Sequence, residues 1–124
     1  MKKILLIEPD QKTARFIKKT LESKDIEVFA VFSAQEAIHA ADETKFDLVI
    51  LELAIPDQNG VAFLHEFRSY EDWSNVSVII HTHLLISDQT TEKAWQILKI
   101  NKFLYKPTTT LKKLKSTVDQ VLNS

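Results

Sequence analysis

The chain has 124 residues, 44% of them hydrophobic, with 16 basic and 17 acidic side chains. That length suits one compact domain, residues 1–124, able to bury about two-thirds of the surface its unfolded form exposes. Near-cancelling charge argues against direct nucleic-acid binding, and the lack of Cys excludes disulfides, thiolate metal sites and thiol chemistry.

Met1-Lys2-Lys3 gives a basic start, but only four apolar residues follow before Glu8, too few for a signal segment or a membrane span, so a cytoplasmic location is expected. Residues 4–7 read as a first strand. Thr13, Phe16, Ile17, Thr20 and Leu21 then recur at three-and-four spacing, the pattern of a helix with one apolar face. Residues 28–32 form a second predicted strand and 48–53 a third, in which Leu48 to Leu51 run apolar without alternation, as a parallel strand covered on both faces requires. The third strand ends on Glu52 and leads into a loop holding Pro56, Asp57, Asn59 and Gly60.

Residues 76–80 and 103–105 complete a set of five strands. Leu111, Leu114, Val118, Val121 and Leu122 repeat the helical spacing at the end of the chain, where Lys112, Lys113 and Lys115 read as a solvated outer face. Ser33, Asn59, Asp88 and Thr108 are the expected helix caps, and Asn101 the expected left-handed residue in the turn after the fourth helix. Five strands alternating with five helices imply an α/β fold, a doubly wound five-stranded parallel sheet with helices on both faces. Such a sheet puts its site at the carboxyl ends of the strands. Those ends carry Glu8 and Asp10, Glu52, Thr82 with His83, and Lys106.

Five segments taken in order carry a family resemblance: Ile4-Leu5-Leu6-Ile7-Glu8, Asp47-Leu48-Val49-Ile50-Leu51-Glu52, Pro56-Asp57-Gln58-Asn59-Gly60, Val78-Ile79-Ile80-His81-Thr82 and Phe103-Leu104-Tyr105-Lys106-Pro107. Together they resemble the response-regulator receiver domain of two-component signalling, over the whole chain. The resemblance implies a flavodoxin-like (βα)5 fold and a site in which an acidic pair after the first strand helps to hold Mg²⁺. It makes Glu52 the equivalent of the phosphoacceptor Asp, and Thr82 and Lys106 the equivalents of the groups that contact the phosphoryl oxygens. Phe103 takes the place of the aromatic that rotates with the switch, Pro56 and Gly60 are structural, and Pro107 follows a bond that is cis in the family. Charge neutralisation by a lysine and a metal is what phosphoryl transfer needs.

The chain departs from that pattern at two places. Pro9 stands where the second acid of the pair is expected, leaving Glu8, Asp10 and Glu52 as a weak Mg²⁺ set. Glu52 itself has an extra methylene that advances its carboxylate by about 1 to 1.5 Å, a misplacement that costs roughly 10² in a reaction governed by positioning. The longer side chain is within reach of Lys106 as a fixed ion pair. His83 stands where the family has a small residue, either obstructing the acceptor or facing water. His81 and His83 form a His-x-His pair, an alternative Zn²⁺ site with Glu52 or Asp10. Thr82 is either a switch hydroxyl or the partner in a strand-end hydrogen bond. Asp10 is alternatively a cap for the first helix, and Tyr70, Trp73 and Trp95 are either interface anchors or packing residues.

The expected function is an atypical receiver, not an enzyme, that signals by protein contact through the fourth helix, fifth strand and fifth helix without Asp phosphorylation. Its partners would be another protein, a sensor kinase or a second copy, with no cofactor beyond weak Mg²⁺. The alternatives are a working phosphorelay receiver using Glu52 or Asp57, and a metal- or small-molecule-sensing module.

Overall fold

The computed structural model describes residues 1–85 and 89–124. Strands β1 (Lys2–Ile7), β2 (Ile26–Val31), β3 (Leu48–Leu51), β4 (Ser77–Thr82) and β5 (Lys102–Tyr105) form one parallel sheet in the order β2-β1-β3-β4-β5. Helices α1 (Gln11–Leu21), α2 (Ala34–Glu43), α3 (Gly60–Ser69), α4 (Gln89–Ile97) and α5 (Leu111–Leu122) alternate with them, and single 3-10 turns cover Glu71–Trp73 and Lys106–Thr108. This is the doubly wound α/β architecture expected from the alternation of strands and helices.

Alternation along each strand divides the core in two. Leu5, Ile7, Val49, Leu51, Val78 and Ile80 face α2 and α3, where Ala37, Phe63, Leu64 and Phe67 meet them. Ile4, Leu6, Leu48, Ile50 and Ile79 face α1 and α5, against Ile17, Leu21, Leu114 and Val118. All four residues of β3 are fully buried, which explains their unbroken apolar run. β1 pairs with β3 so that Ile7 lies opposite Leu51, and Glu8 and Glu52 therefore emerge side by side where the strand order reverses.

Several expectations need correcting. Phe16 is 53% exposed, and the shorter Ala14 turns inward with Ile17 and Leu21. Thr13 and Thr20 lie at the margin of that stripe. Ser33 and Asn59 cap α2 and α3, but Thr110 caps α5 in place of Thr108, which belongs to the 3-10 turn. Asp88 lies outside the described residues. Asn101 is not left-handed: its side chain accepts from Val78 N–H, and Lys99 takes the left-handed conformation with φ 58°. Among the described residues no peptide bond is cis, so the Lys106–Pro107 bond is trans. Pro107 sits inside a 3-10 turn, to which its fixed φ is suited.

The aromatics pack. Trp73 stacks on Phe67 with ring centroids 4.9 Å apart and meets Tyr70 edge-on, while Trp95 lies 5.7 Å from Phe103. Gly60 begins α3 against the loop backbone, where a Cβ would stand 2.6 Å from Leu53 Cα. Only Gly permits that approach.

Candidate functional site

Four strand ends deliver the site. Glu52 follows β3 directly and is 2% exposed. Its backbone N–H still bonds Ile7 O, and the chain then turns away, so the side chain points along the strand axis into the crevice. One carboxylate oxygen, Oε2, accepts from Ala54 N–H at 3.1 Å and from the Thr82 hydroxyl. The other, Oε1, accepts from Lys106 Nζ at 2.8 Å and His83 N–H at 3.2 Å, and lies 2.7 Å from His83 Nδ1, to which the acceptor-only carboxylate assigns the ring proton. Five donors thus converge on a group with about four lone-pair sites.

Lys106, at the end of β5, bridges Glu52 to Glu8 at the end of β1. Glu8 is also 2% exposed. Its Oε2 accepts from Asp10 N–H at 3.0 Å, and its Oε1 meets the ammonium as an ion pair away from any hydrogen-bond direction. The sheet therefore ends on one partly exposed cation held between two buried carboxylates.

Burial alone would push the Glu52 carboxyl upward, but its bonds from Lys106, Thr82, Ala54 and His83 prevail and hold it at about 2, down from 4.5. His81 is buried on the opposite side of β4 from Thr82. Desolvation, assisted by the positive Lys106, lowers its pKa to about 4, so the imidazole is neutral at pH 7.

The remaining candidates lie elsewhere. Asp10 turns its carboxylate to the Thr13 hydroxyl and N–H as the cap of α1, which lowers its pKa. Asp57 accepts from Ala34 and Gln35 N–H at 2.9 and 3.0 Å, bonds that lower its pKa and tie it to the start of α2. His81 and His83 do not share a face: His81 is in the sheet, and His83 lies beyond the strand end with its side chain 58% exposed. Among the described residues no three His, Asp or Glu side chains are grouped to hold a metal ion. Phe103 is partly buried beside Trp95, outside the charged cluster. Pro56 lies exposed in the loop that Gly60 closes, and no described helix is long and apolar enough to cross a membrane.

His83, expected either to obstruct the acceptor or to face water, closes on Glu52 through both its backbone and its ring while its side chain stays 58% exposed. One further contribution is not readable from the motifs. Arg68 on α3 donates to the carbonyls of Leu98 at 2.8 Å, Trp73 at 2.9 Å and Lys99 at 3.1 Å, fixing the end of α4. An exposed-looking Arg in a helix gives no sequence signal for such a clamp.

A family model described as the response regulator receiver domain matches residues 4–119. The KDP operon transcriptional regulatory protein KdpE of Escherichia coli is 35% identical over 80 residues, 64% of this chain and 34% of KdpE. The transcriptional regulatory protein CrdR of Helicobacter pylori is 27% identical over 106 residues, 86% of this chain and 48% of CrdR. The matches thus span about a third to a half of these curated relatives. Among solved structures, the receiver domain of Francisella response regulator 1452 superposes with TM-score 0.85 at 24% identity, covering 99% of this chain and 98% of that one. The chemotaxis protein CheY4 of Vibrio cholerae also gives 0.85, at 20% identity and 98% coverage of both chains. At such identities the likeness shows the fold.

Proposed function

The chain belongs to the response-regulator receiver family of two-component signalling, and from that premise we propose that it is an atypical receiver whose site is held by a fixed ion pair in place of a switchable phosphate. It acts by contact with a partner protein through α4, β5 and α5, and performs no catalysis of its own. The observation that carries this reading is the saturation of Glu52 by Lys106, Thr82, Ala54 and His83.

A carboxylate attacks phosphorus only with a free lone pair, and each donor bond given up removes stabilisation. The low pKa of Glu52 also makes it a poor nucleophile. The donor set does not suit Mg²⁺ either: the cation prefers six hard oxygens, whereas Glu8 and Glu52 are engaged by an ammonium and Asp10 by its own helix. Lys106 supplies the positive charge that a metal would bring.

The alternative of a working phosphorelay receiver, served by a sensor histidine kinase, draws support from the contact of both Thr82 and Lys106 with Glu52. A backbone NMR titration with Mg²⁺ and then beryllofluoride, which imitates an acyl phosphate, separates the two. An unchanged spectrum is expected. Saturable shifts at Glu8, Glu52, Thr82 and Lys106 that extend to Phe103 would overturn the proposal.

A further inference from the structure

The near-neutral total charge conceals a separation across the sheet. On one face, α1 and α5 carry seven basic residues and one acid, Asp119. On the other, α2, α3 and the following 3-10 turn carry six acids and one base, Arg68, which is committed to backbone carbonyls. Among the described residues Lys12, Arg15, Lys18 and Lys19 of α1 enter no ion pair, and neither do Glu36, Asp42 and Glu66.

Each face also has an apolar element. Phe16, 53% exposed, lies between Lys12 and Lys19 at spacings of four and three, so the three side chains form one stripe on α1. On the acidic side, a groove of about 560 Å³ runs between α2 and α3, lined by Glu36, Ile38, His39, Asp42, Asp57 and Glu66. An aromatic anchor with a basic rim faces an apolar floor with an acidic rim.

We propose that the chain self-associates head to tail, the Phe16 stripe of one copy seated in the α2–α3 groove of the next. A two-fold contact through either face would oppose like charges, whereas successive copies in one orientation pair unlike faces throughout. Such a heterologous contact has no built-in closure, so assembly grows with concentration instead of stopping at a dimer. It is independent of the state of Glu52, because neither face includes the strand-end site.

Sedimentation velocity on the full chain tests this at about 0.01 M and about 1 M salt, where the Debye length is about 30 Å and about 3 Å. At low salt the sedimentation coefficient should rise with concentration, and at high salt it should stay at the monomer value. Lys12→Gln/Phe16→Ser removes one face and Glu36→Gln/Asp42→Asn the other, all at exposed or partly exposed positions where circular dichroism can verify folding. Each variant alone should remain monomeric, and their equimolar mixture should form a heterodimer of twice the monomer mass that grows no further. A wild-type monomer at low salt overturns the proposal and assigns the basic face to a different acidic partner. Association that survives both variants, or a mixture that stays monomeric, overturns it as well.

Discussion

Glu52 meets Lys106 in a crevice from which the Glu8 and Glu52 carboxylates are almost wholly hidden, and the ionisation of Glu52 is coupled to folding. Glu52 ionises at about 2 in the folded chain against an ordinary 4.5. A depressed carboxyl contributes stability that is complete above about 4.5 and is lost as pH falls towards about 2, by about 3 kcal/mol in all. His81, lowered from 6.5 to about 4, acts in the same direction one window higher, since the buried ring resists the proton that the unfolded chain accepts. Stability measured by urea unfolding should therefore decline in two successive steps on acidification. Lys106→Met reverses part of this. Removing the ammonium leaves Glu8 and Glu52 buried without a counter-charge and should cost about 3 to 5 kcal/mol at pH 7. Protonation of Glu52 relieves that repulsion, so the gap between mutant and wild type should narrow by about pH 3. A constant gap across that range would show that Lys106 does not neutralise the pair.

Helix ends show where local sequence signals work and where they fail. Ser33 and Asn59 were legible as caps because their side chains accept the first free N–H groups. Thr108, Thr109 and Thr110 have equal chemistry, so sequence alone does not separate the cap from its neighbours; the 3-10 turn after β5 decides it. Phe16 misled because apolar spacing treats it as core, while the close approach of α1 to the sheet accommodates Ala14. Lys99 gave no signal at all. Ile100 N–H bonds Trp95 O and Lys99 N–H bonds Gln96 O, the paired bonds of a Schellman ending with Lys99 in the left-handed position. Arg68 holds the carbonyls of Leu98 and Lys99, so tertiary contacts impose a conformation that Lys disfavours. Lys99→Gly relieves the Cβ strain and loses the Nζ bond to Asn75 at 2.9 Å, which is exposed and of small value. A net gain of about 0.5 to 1 kcal/mol is expected from thermal or urea unfolding. A loss would mean that the Lys99 side chain matters more than its backbone.

At the scale of the whole molecule, the sheet and the chemistry at its rim are specified by different residues. Five apolar runs separated by helical spacing made the parallel sheet legible, and its order brings Glu8, Glu52, Thr82 and Lys106 to one edge whatever their side chains do. Identity at single positions sets the rest: Pro9 in place of an acid, one methylene at Glu52, and an imidazole at His83. The reach of Glu52 to Lys106 was legible from its length, but the closure of His83 depends on the bend after β4 and required the structure. If side chains alone keep the site inert, the fold should accept their replacement. Pro9→Asp/Glu52→Asp/His83→Ala withdraws the carboxylate by about 1 to 1.5 Å, restores an acid after β1 and clears the approach, which should raise the rate of phosphoryl acceptance by at least about 10². Incubation with acetyl phosphate and Mg²⁺, followed by intact-mass measurement, should give one added phosphoryl group on the triple variant and none on the wild type. Circular dichroism provides the control for folding. A folded triple variant that stays unmodified would place the obstacle outside these three positions, in the backbone that carries them.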